Sequence, residues 1–450
     1  MRISTSQIYD AGSLNIQRNQ ASLFKIQNQL STGRRVLTPE DDPVAAAQAL
    51  LVTQAKEMNT QQTTNQGNAE SQLGLVDSQL SSLVDLIQNV RDRVIQAGNS
   101  TLSASDRQSI ATELEARFGE LLGIANAQNG SGDYLFSGYQ GATKPFAINA
   151  SLSVVPPATT APVGYYGDDG ERLLQVSSSR VMPVNVAGSD VFMSVKQGNG
   201  TFFATTGGAV DVVTGNPVLD PVTGDPVINQ GAATVDSGSV RDLQKWQKTF
   251  NEYSWADPSQ PGFQIRFTSA TTYQLYDLGD PATPLLAVDA SYTPGTAIPL
   301  VTSGGDDFGA QVVVQGQPKA GDTFEIQPST NQSLFQTMQS LIGILKSPVG
   351  SASYTTSQYS NDLGRQLANL DRALDNVSTV QATVGTRLRE LESLGETASD
   401  LNLQYQTTLS DLQDLDYAEA ISNFAMQQTY LEAAQKSFAQ ISGLSLFNYL

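Results

Sequence analysis

Residues 73–97 read LGLVDSQLSSLVDLIQNVRDRVIQA, and in them Leu73, Val76, Leu80, Leu83, Ile87, Val90, Val94 and Ala97 fall at spacings 3-4-3-4-3-4-3. An unbroken 3-4 alternation is a heptad seam and predicts a helix with one buried stripe. Gly98-Asn99 stops it. Ser103-x-x-Asp106 then offers an N-cap for a second helix carrying Ala111, Leu114, Phe118, Leu121 and Ala125, with Gly130-Ser131-Gly132 as its expected end. Towards the other end of the chain, Leu363, Leu367, Leu370, Leu374, Val377, Gln381, Val384, Leu388, Leu391, Gly395 and Ala398 keep the same rhythm. Beyond Ala398 the stripe slips by one position to Leu401, Tyr405, Thr408, Leu412 and Leu415, a local change of coiling. Two such rods at opposite ends of one chain should pair.

Outward from these rods lie two further helical stretches. Tyr9, Ile16, Leu23 and Leu30 recur every seven residues with Ile26 between them, while Gly12 and Asn19 occupy intervening seam positions. Gly33 breaks that run. The next helix should start with Asp42 as N-cap and Pro43 as first residue, because a start at Thr38-Pro39 would put Pro43 inside it. At the far end Tyr417, Phe424, Leu431, Phe438 and Leu446 supply an apolar stripe. Between about 140 and 330 the composition changes to short apolar runs broken by Gly, Pro, Asn and Asp, which predicts strands and hairpins. Val213-Thr214-Gly215-Asn216-Pro217-Val218 returns nine residues later as Val222-Thr223-Gly224-Asp225-Pro226-Val227, a duplicated turn rather than a solenoid.

The expected fold class is therefore α+β: a discontinuous helical coiled-coil rod from both chain ends with an inserted, mostly β middle region. The expected divisions are 1–35 (terminal assembly helix, mobile in the monomer), 36–139 (rod), 140–330 (β-rich outer part, with an extra subdomain at about 195–320), 331–399 (rod) and 400–450 (second assembly helix).

Composition removes much chemistry. The chain has 450 residues, no histidine and no cysteine, and 25 basic against 44 acidic side chains, a net charge of 25 − 44 = −19. No imidazole base, thiolate nucleophile, His- or Cys-ligated metal or disulfide can be built from it. A pI near 4.3 argues against phosphate-backbone binding, which depends on Lys and Arg. Charged residues make up 15% against an ordinary share of about 25%, leaving surfaces rich in amides and hydroxyls. Met1 to Ile8 lacks a basic segment followed by an apolar run, and no stretch approaches the roughly 18 apolar residues of a membrane span, so neither Sec export nor membrane insertion is expected.

A motif search finds no P-loop, G-x-S-x-G or G-x-G-x-x-G. The clusters Glu40-Asp41-Asp42, Asp168-Asp169-Gly170-Glu171, Asp306-Asp307 and Asp411-x-x-Asp414-x-Asp416 lack EF-hand spacing and read as turns or helix starts before they read as cation or glycosidase sites. No catalytic, cofactor or metal residue is assigned. Arg34 and Arg35 are placed either to pair with Asp41 and Asp42 and fasten a loop or to stand as an ordinary exposed charge pair. Tyr134, Phe136, Tyr139 and Phe146 are expected to pack at a domain junction.

The two ends are unusually poor in charge. Residues 1–30 hold Arg2, Asp10, Arg18 and Lys25, and residues 421–450 hold only Glu432 and Lys436. A single apolar stripe does not offset the backbone entropy of ordering about 30 residues. Neighbouring subunits could close that deficit, and a contact whose two sides differ and whose rotation fails to close gives an open helical assembly; the alternative is two well-packed helices in a monomer. The expected contact residues are Ile16, Leu23, Ile26, Leu30, Leu401, Tyr405, Leu412, Leu415, Tyr417, Phe424, Leu431, Phe438 and Leu446.

Leu30-Ser31-Thr32-Gly33-Arg34-Arg35-Val36 with Glu40-Asp41-Asp42-Pro43, and Asp414-Leu415-Asp416-Tyr417-Ala418-Glu419-Ala420, resemble the two ends of bacterial flagellins. Within that superfamily, Tyr134-Leu135-Phe136-Ser137-Gly138-Tyr139 with Lys144-Pro145-Phe146, Gly321-Asp322-Thr323-Phe324-Glu325-Ile326 and Val384-Gly385-Thr386-Arg387-Leu388 are similar to the hook-associated protein 3 (FlgL-type) branch. The likeness is good over about 1–150 and 320–450. In the middle it rests on Tyr166-Gly167-Asp168-Asp169-Gly170 and Gly188-Ser189-Asp190-Val191-Phe192, and 195–320 departs from the pattern. The resemblance implies a non-enzymatic, extracellular part of the bacterial flagellum without cofactors, exported through the flagellar type III apparatus. It would assemble at the hook–filament junction between the first hook-associated junction protein and flagellin, with copies of itself in a ring of about eleven. A cytoplasmic export chaperone would bind its C-terminal region, and neither nucleic acid nor membrane insertion is involved. The alternatives are a flagellin-like filament subunit, or an assembly scaffold displaying an adhesive or catalytic central domain.

Overall fold

The structure, a computed structural model, describes residues 5–99, 101–149, 162–221, 224–351 and 354–443. Among them are seven α-helices: α1 (Thr5–Thr32), α2 (Pro43–Ala97), α3 (Ala104–Ala125), α4 (Leu243–Glu252), α5 (Leu334–Lys346), α6 (Thr356–Gln413) and α7 (Tyr417–Gly443). Helical rods bracketing a region of small antiparallel sheets give the α+β architecture expected from the seams. The chain divides into two compact units. One comprises Met1–Asn68, Gln175–Val181 and Leu391–Leu450, the other Ala69–Leu174 and Met182–Glu390.

In the second unit the seam of α2 is closed. All eight residues from Leu73 to Ala97 are 1% exposed or less. On α6, Leu363, Leu370, Val377 and Val384 are buried at every seventh position, and the alternate positions are half-buried. The helices run antiparallel: Arg91 pairs with Asp371 at 2.7 Å, Gln381 Nε2 donates to Ser81 Oγ at 2.9 Å, and the Tyr359 hydroxyl donates to the last carbonyl of α2, Ala97 O, at 2.7 Å. A capping box opens α3, with Ser103 Oγ accepting from Asp106 N and Asp106 Oδ2 accepting from Ser103 N. This helix ends at Ala125, ahead of the Gly130-Ser131-Gly132 end expected from sequence. The Asn126 amide exchanges two 3.0 Å hydrogen bonds with the backbone of Phe146 and so takes the chain out of the helix early. Against α3 lies α5, where Phe335 meets Phe118, Phe146 and Phe192 with ring centroids 5.3–5.9 Å apart. Phe136 and Phe146 are buried as expected, whereas Tyr139 is 65% exposed because its backbone is held in a turn by Asp168 Oδ1.

Sixteen strands follow in the described residues. Two ribbons come first, β1 (Phe146–Ile148) with β2 (Val163–Tyr165) and β3 (Leu173–Gln175) with β4 (Val181–Pro183). Then come β5 (Val195–Lys196), β6 (Phe202–Ala209), β7 (Thr234–Val235), β8 (Ser239–Val240), β9 (Phe263–Ser269), β10 (Thr272–Asp277) and β11 (Asp280–Pro284). The last five are β12 (Ala290–Ser291), β13 (Ala297–Val301), β14 (Asp307–Gln315), β15 (Asp322–Pro328) and β16 (Asn331–Gln332). The order β11-β10-β9-β15-β6, with β12 beside β10, makes a six-stranded antiparallel sheet. A four-stranded one has the order β13-β14-β7, with β8 also on β14. Pairing of β5 with β16 brings the entry and exit of this inserted region together. Its core is a cluster of residues drawn entirely from 202–326, among them Phe202, Trp246, Phe263, Phe267, Phe308 and Phe324. Within this region α4 is a departure from the strand-and-turn expectation. Asp242 caps it through Lys245 N, and Trp246 is buried against Phe202 and Phe250.

The duplicated turn is present twice with one hydrogen-bond pattern. Gly215 N donates to Asp211 O and Gly224 N to Asp220 O, both at 2.8 Å, with glycine φ of +73° and +75°. From α6, three side-chain amides grip this unit's other segments through main-chain atoms. Asn361 Oδ1 accepts from Val235 N, Asn369 Oδ1 accepts from Gly198 N, and Asn376 Nδ2 donates to Asp190 O, at 2.7–2.9 Å.

Candidate assembly surface on the terminal helices

The first unit holds the residues expected to make subunit contacts. Helices α1 and α7 pack antiparallel, since Gly12 lies beside Phe438 and Gly33 beside Tyr417. A Cβ on Gly12 would sit 2.7 Å from the Phe438 ring, so the gap in the α1 stripe is the space that ring occupies. Ile16, Leu23, Ile26 and Leu30 on α1 and Phe424, Leu431 and Phe438 on α7 are all half-buried. On the end of α6, Tyr405 and Leu412 are half-buried and Leu401 is exposed. Leu415 is half-buried in the link to α7, and Tyr417, the first residue of α7, is exposed. Leu446 lies outside the described residues. The expected division at 399/400 falls inside α6, which continues to Gln413.

The break between α1 and α2 and the break between α6 and α7 are stitched into one joint. Arg35 N donates to Gln413 O at 2.7 Å, Leu415 N donates to Gly33 O at 3.0 Å, and Arg34 bridges Asp414 through the backbone. Gly33 has φ +70°, and a Cβ there would meet the Tyr417 hydroxyl at 2.8 Å, so both backbone conformation and space demand glycine. The loop's charges pair differently from the simple Arg-Arg with Asp-Asp arrangement. Arg35 meets Asp42 at 3.3 Å and also donates to Leu412 O, but Asp41 pairs with Lys25 at 2.6 Å, and Arg34 is exposed. The bond from Lys25, then backbone amides including Thr38 N, hold the Asp41 carboxyl at about 2 against burial. Asp42 lies below the usual carboxylate range chiefly through Ala45 N, the capping bond of α2.

Sequence reasoning missed a second apolar set. Val44, Leu51 and Met58, spaced by seven along α2, are 67%, 66% and 54% exposed, and Leu50, Leu403, Phe24, Ile421 and Tyr430 are exposed as well. The period of seven is readable in the sequence, but spacing alone does not show that α2 leaves this stripe open. Against this, the buried apolar residues of the unit are Ala45, Ala49, Val176, Leu391, Ala398 and Ala420 among those described. An exposed heptad stripe beside an alanine core marks a surface made to be covered.

Comparison with known proteins finds flagellar relatives. Residues 3–141 match the bacterial flagellin N-terminal helical region and residues 367–450 the bacterial flagellin C-terminal helical region. The chain is 28% identical over 447 residues to the flagellar hook-associated protein 3 of Escherichia coli, covering 99% of each.

The chain belongs to the bacterial flagellin family.

Within that family it is a homologue of hook-associated protein 3, a structural protein of the hook–filament junction. Its structure superposes on the flagellar junction protein FlgL from Legionella pneumophila with a TM-score of 0.61 at 28% identity, over 82% of this chain and 100% of that one. By contrast, Escherichia coli flagellin matches at 32% over 107 residues, 24% of this chain. A flagellar junction component is thus favoured over a filament subunit. The joint between the two helix breaks is built from the same stretches, 30–43 and 414–420, that carry the flagellin likeness.

Proposed function

We propose that this flagellin-family chain polymerises as the adaptor between the first hook-associated junction protein and the flagellin filament, and that the segments 1–35 and 400–450 make its subunit contacts. The single observation behind this reading is the first unit, whose apolar side chains outnumber the places it has to bury them. Half-buried seams on α1 and α7 support a monomer in which these ends fluctuate and become rigid when neighbours cover them. The likeness to junction proteins supports a ring of about eleven copies, export through the flagellar type III system and a cytoplasmic chaperone that masks the C-terminal helix before export. A chain without histidine or cysteine supports a structural rather than an enzymatic role. Deleting the gene should leave hooks without attached filaments, and supplying the intact chain in trans should restore them. Full-length filaments on the deletion strain would overturn the reading.

A further inference from the structure

Between α1 and α7 lies a groove of about 460 Å³ lined by Ser22, Lys25, Ile26, Gln29, Asn423, Met426, Gln427 and Tyr430. Successive helical residues are about 100° apart, which puts Ser22, Lys25, Ile26 and Gln29 on one side of α1 and Phe24 on the opposite side. By the same count Ile421 lies opposite Asn423, Met426, Gln427 and Tyr430 on α7. The antiparallel packing makes these faces consistent: Phe24 and Ile421, 66% and 58% exposed, stand on one face of the helix pair, and the groove opens on the other. They also share a level. Contacts between Gly12 and Phe438 (12 + 438 = 450) and between Gly33 and Tyr417 (33 + 417 = 450) set Phe24 level with Met426, inside the span of the groove.

Resting on the assembly reading above, we propose that the groove receives Phe24 of a second copy of this chain, so that neighbouring subunits join hole to knob at one level. An aromatic side chain entering a pocket is the usual form of an interface anchor. Different surfaces on the two sides make the contact heterologous, which propagates round a ring instead of stopping at a dimer. The groove also has an unmet need, because Gln427 Oε1 is buried without a hydrogen-bond partner. One turn on either side of Phe24, the exposed amides Gln20 and Asn28 travel with the knob and provide donors.

The absence of cysteine makes the test clean. The full chain would carry F24C, M426C or both, with helix content checked by circular dichroism, and would be oxidised as concentrated protein and within flagella of complemented cells. The double variant should give a ladder of dimers, trimers and higher species. Neither single variant should crosslink alone, and a mixture of the two should stop at dimers. Exclusion of the reduced double variant from flagella while it stays folded would also support the contact. Crosslinking of F24C to itself, or a double variant that incorporates yet forms no ladder, would overturn it. Gene deletion tests the junction role separately, so a ladder in a strain that keeps its filaments without the gene sinks only that reading.

Discussion

The two units solve the same helical problem in opposite ways. In the second, the seam of α2, the phenylalanines around Phe335 and the aromatic core of the inserted sheets are shut within the chain. In the first, helices of similar length bury mainly alanines and leave Val44, Leu51, Met58, Phe24 and Ile421 in water. Both carry period-seven stripes, so periodicity alone does not say whether the partner of a stripe is the same molecule or another. What separates them is the size of the residues that end up buried and the fate of the large ones.

Four experiments press on this contrast. The largest effect on the isolated chain should come from F335A, which empties a site among Phe118, Phe146 and Phe192 and should cost about 3–5 kcal/mol in denaturant unfolding. A loss below about 1 kcal/mol would mean that the second unit does not close its own core. Smaller is G12A. Helix propensity gains up to about 1 kcal/mol, but crowding the Phe438 ring costs about 1–3, so α1 and α7 should separate more easily, measured as faster proteolysis of both ends. Unchanged protection would show that the helices do not depend on that contact.

Next is the loop at the helix joint. Asp41 sits at about 2 against an ordinary 3.8, so its contribution is complete above about pH 4 and is lost as the pH falls towards 2. Protection of the Leu37 and Thr38 amides, which donate to Asp41 Oδ2, measured against an unstructured chain at the same pH, should fall over that window in the native chain and lose this dependence in D41N. The smallest effect on the isolated chain is that of L51D, within about 0.5 kcal/mol of the native chain because the side chain is already in water. Incorporation into flagella should nevertheless fall sharply. Equal losses of melting temperature and incorporation would erase the distinction between the units.

Much of this was legible in sequence because it is local. The 3-4 alternation from Leu73 to Ala97, the Ser103/Asp106 capping box, Pro43 behind Asp42 and the repeated Thr-Gly-x-Pro turn each declare themselves within a few residues. What escaped depends on distant partners. Lys25 took Asp41 from the arginines, Asn126 ended α3 early by pairing with Phe146, and α4 formed inside a strand-rich region because Trp246 had an aromatic core to enter. Of the candidate surface, the α1 and α7 stripes were read directly. The groove between them and the heptad on α2 required knowing which flanks stayed open.

Asn361, Asn369 and Asn376 hold their neighbours by main-chain amides and carbonyls, groups that every amino acid except proline supplies in full. A grip of that kind is indifferent to the side chains it holds. The inserted sheets can therefore be lengthened, recoloured in charge or resurfaced by mutation while these hydrogen bonds to α6 stay available.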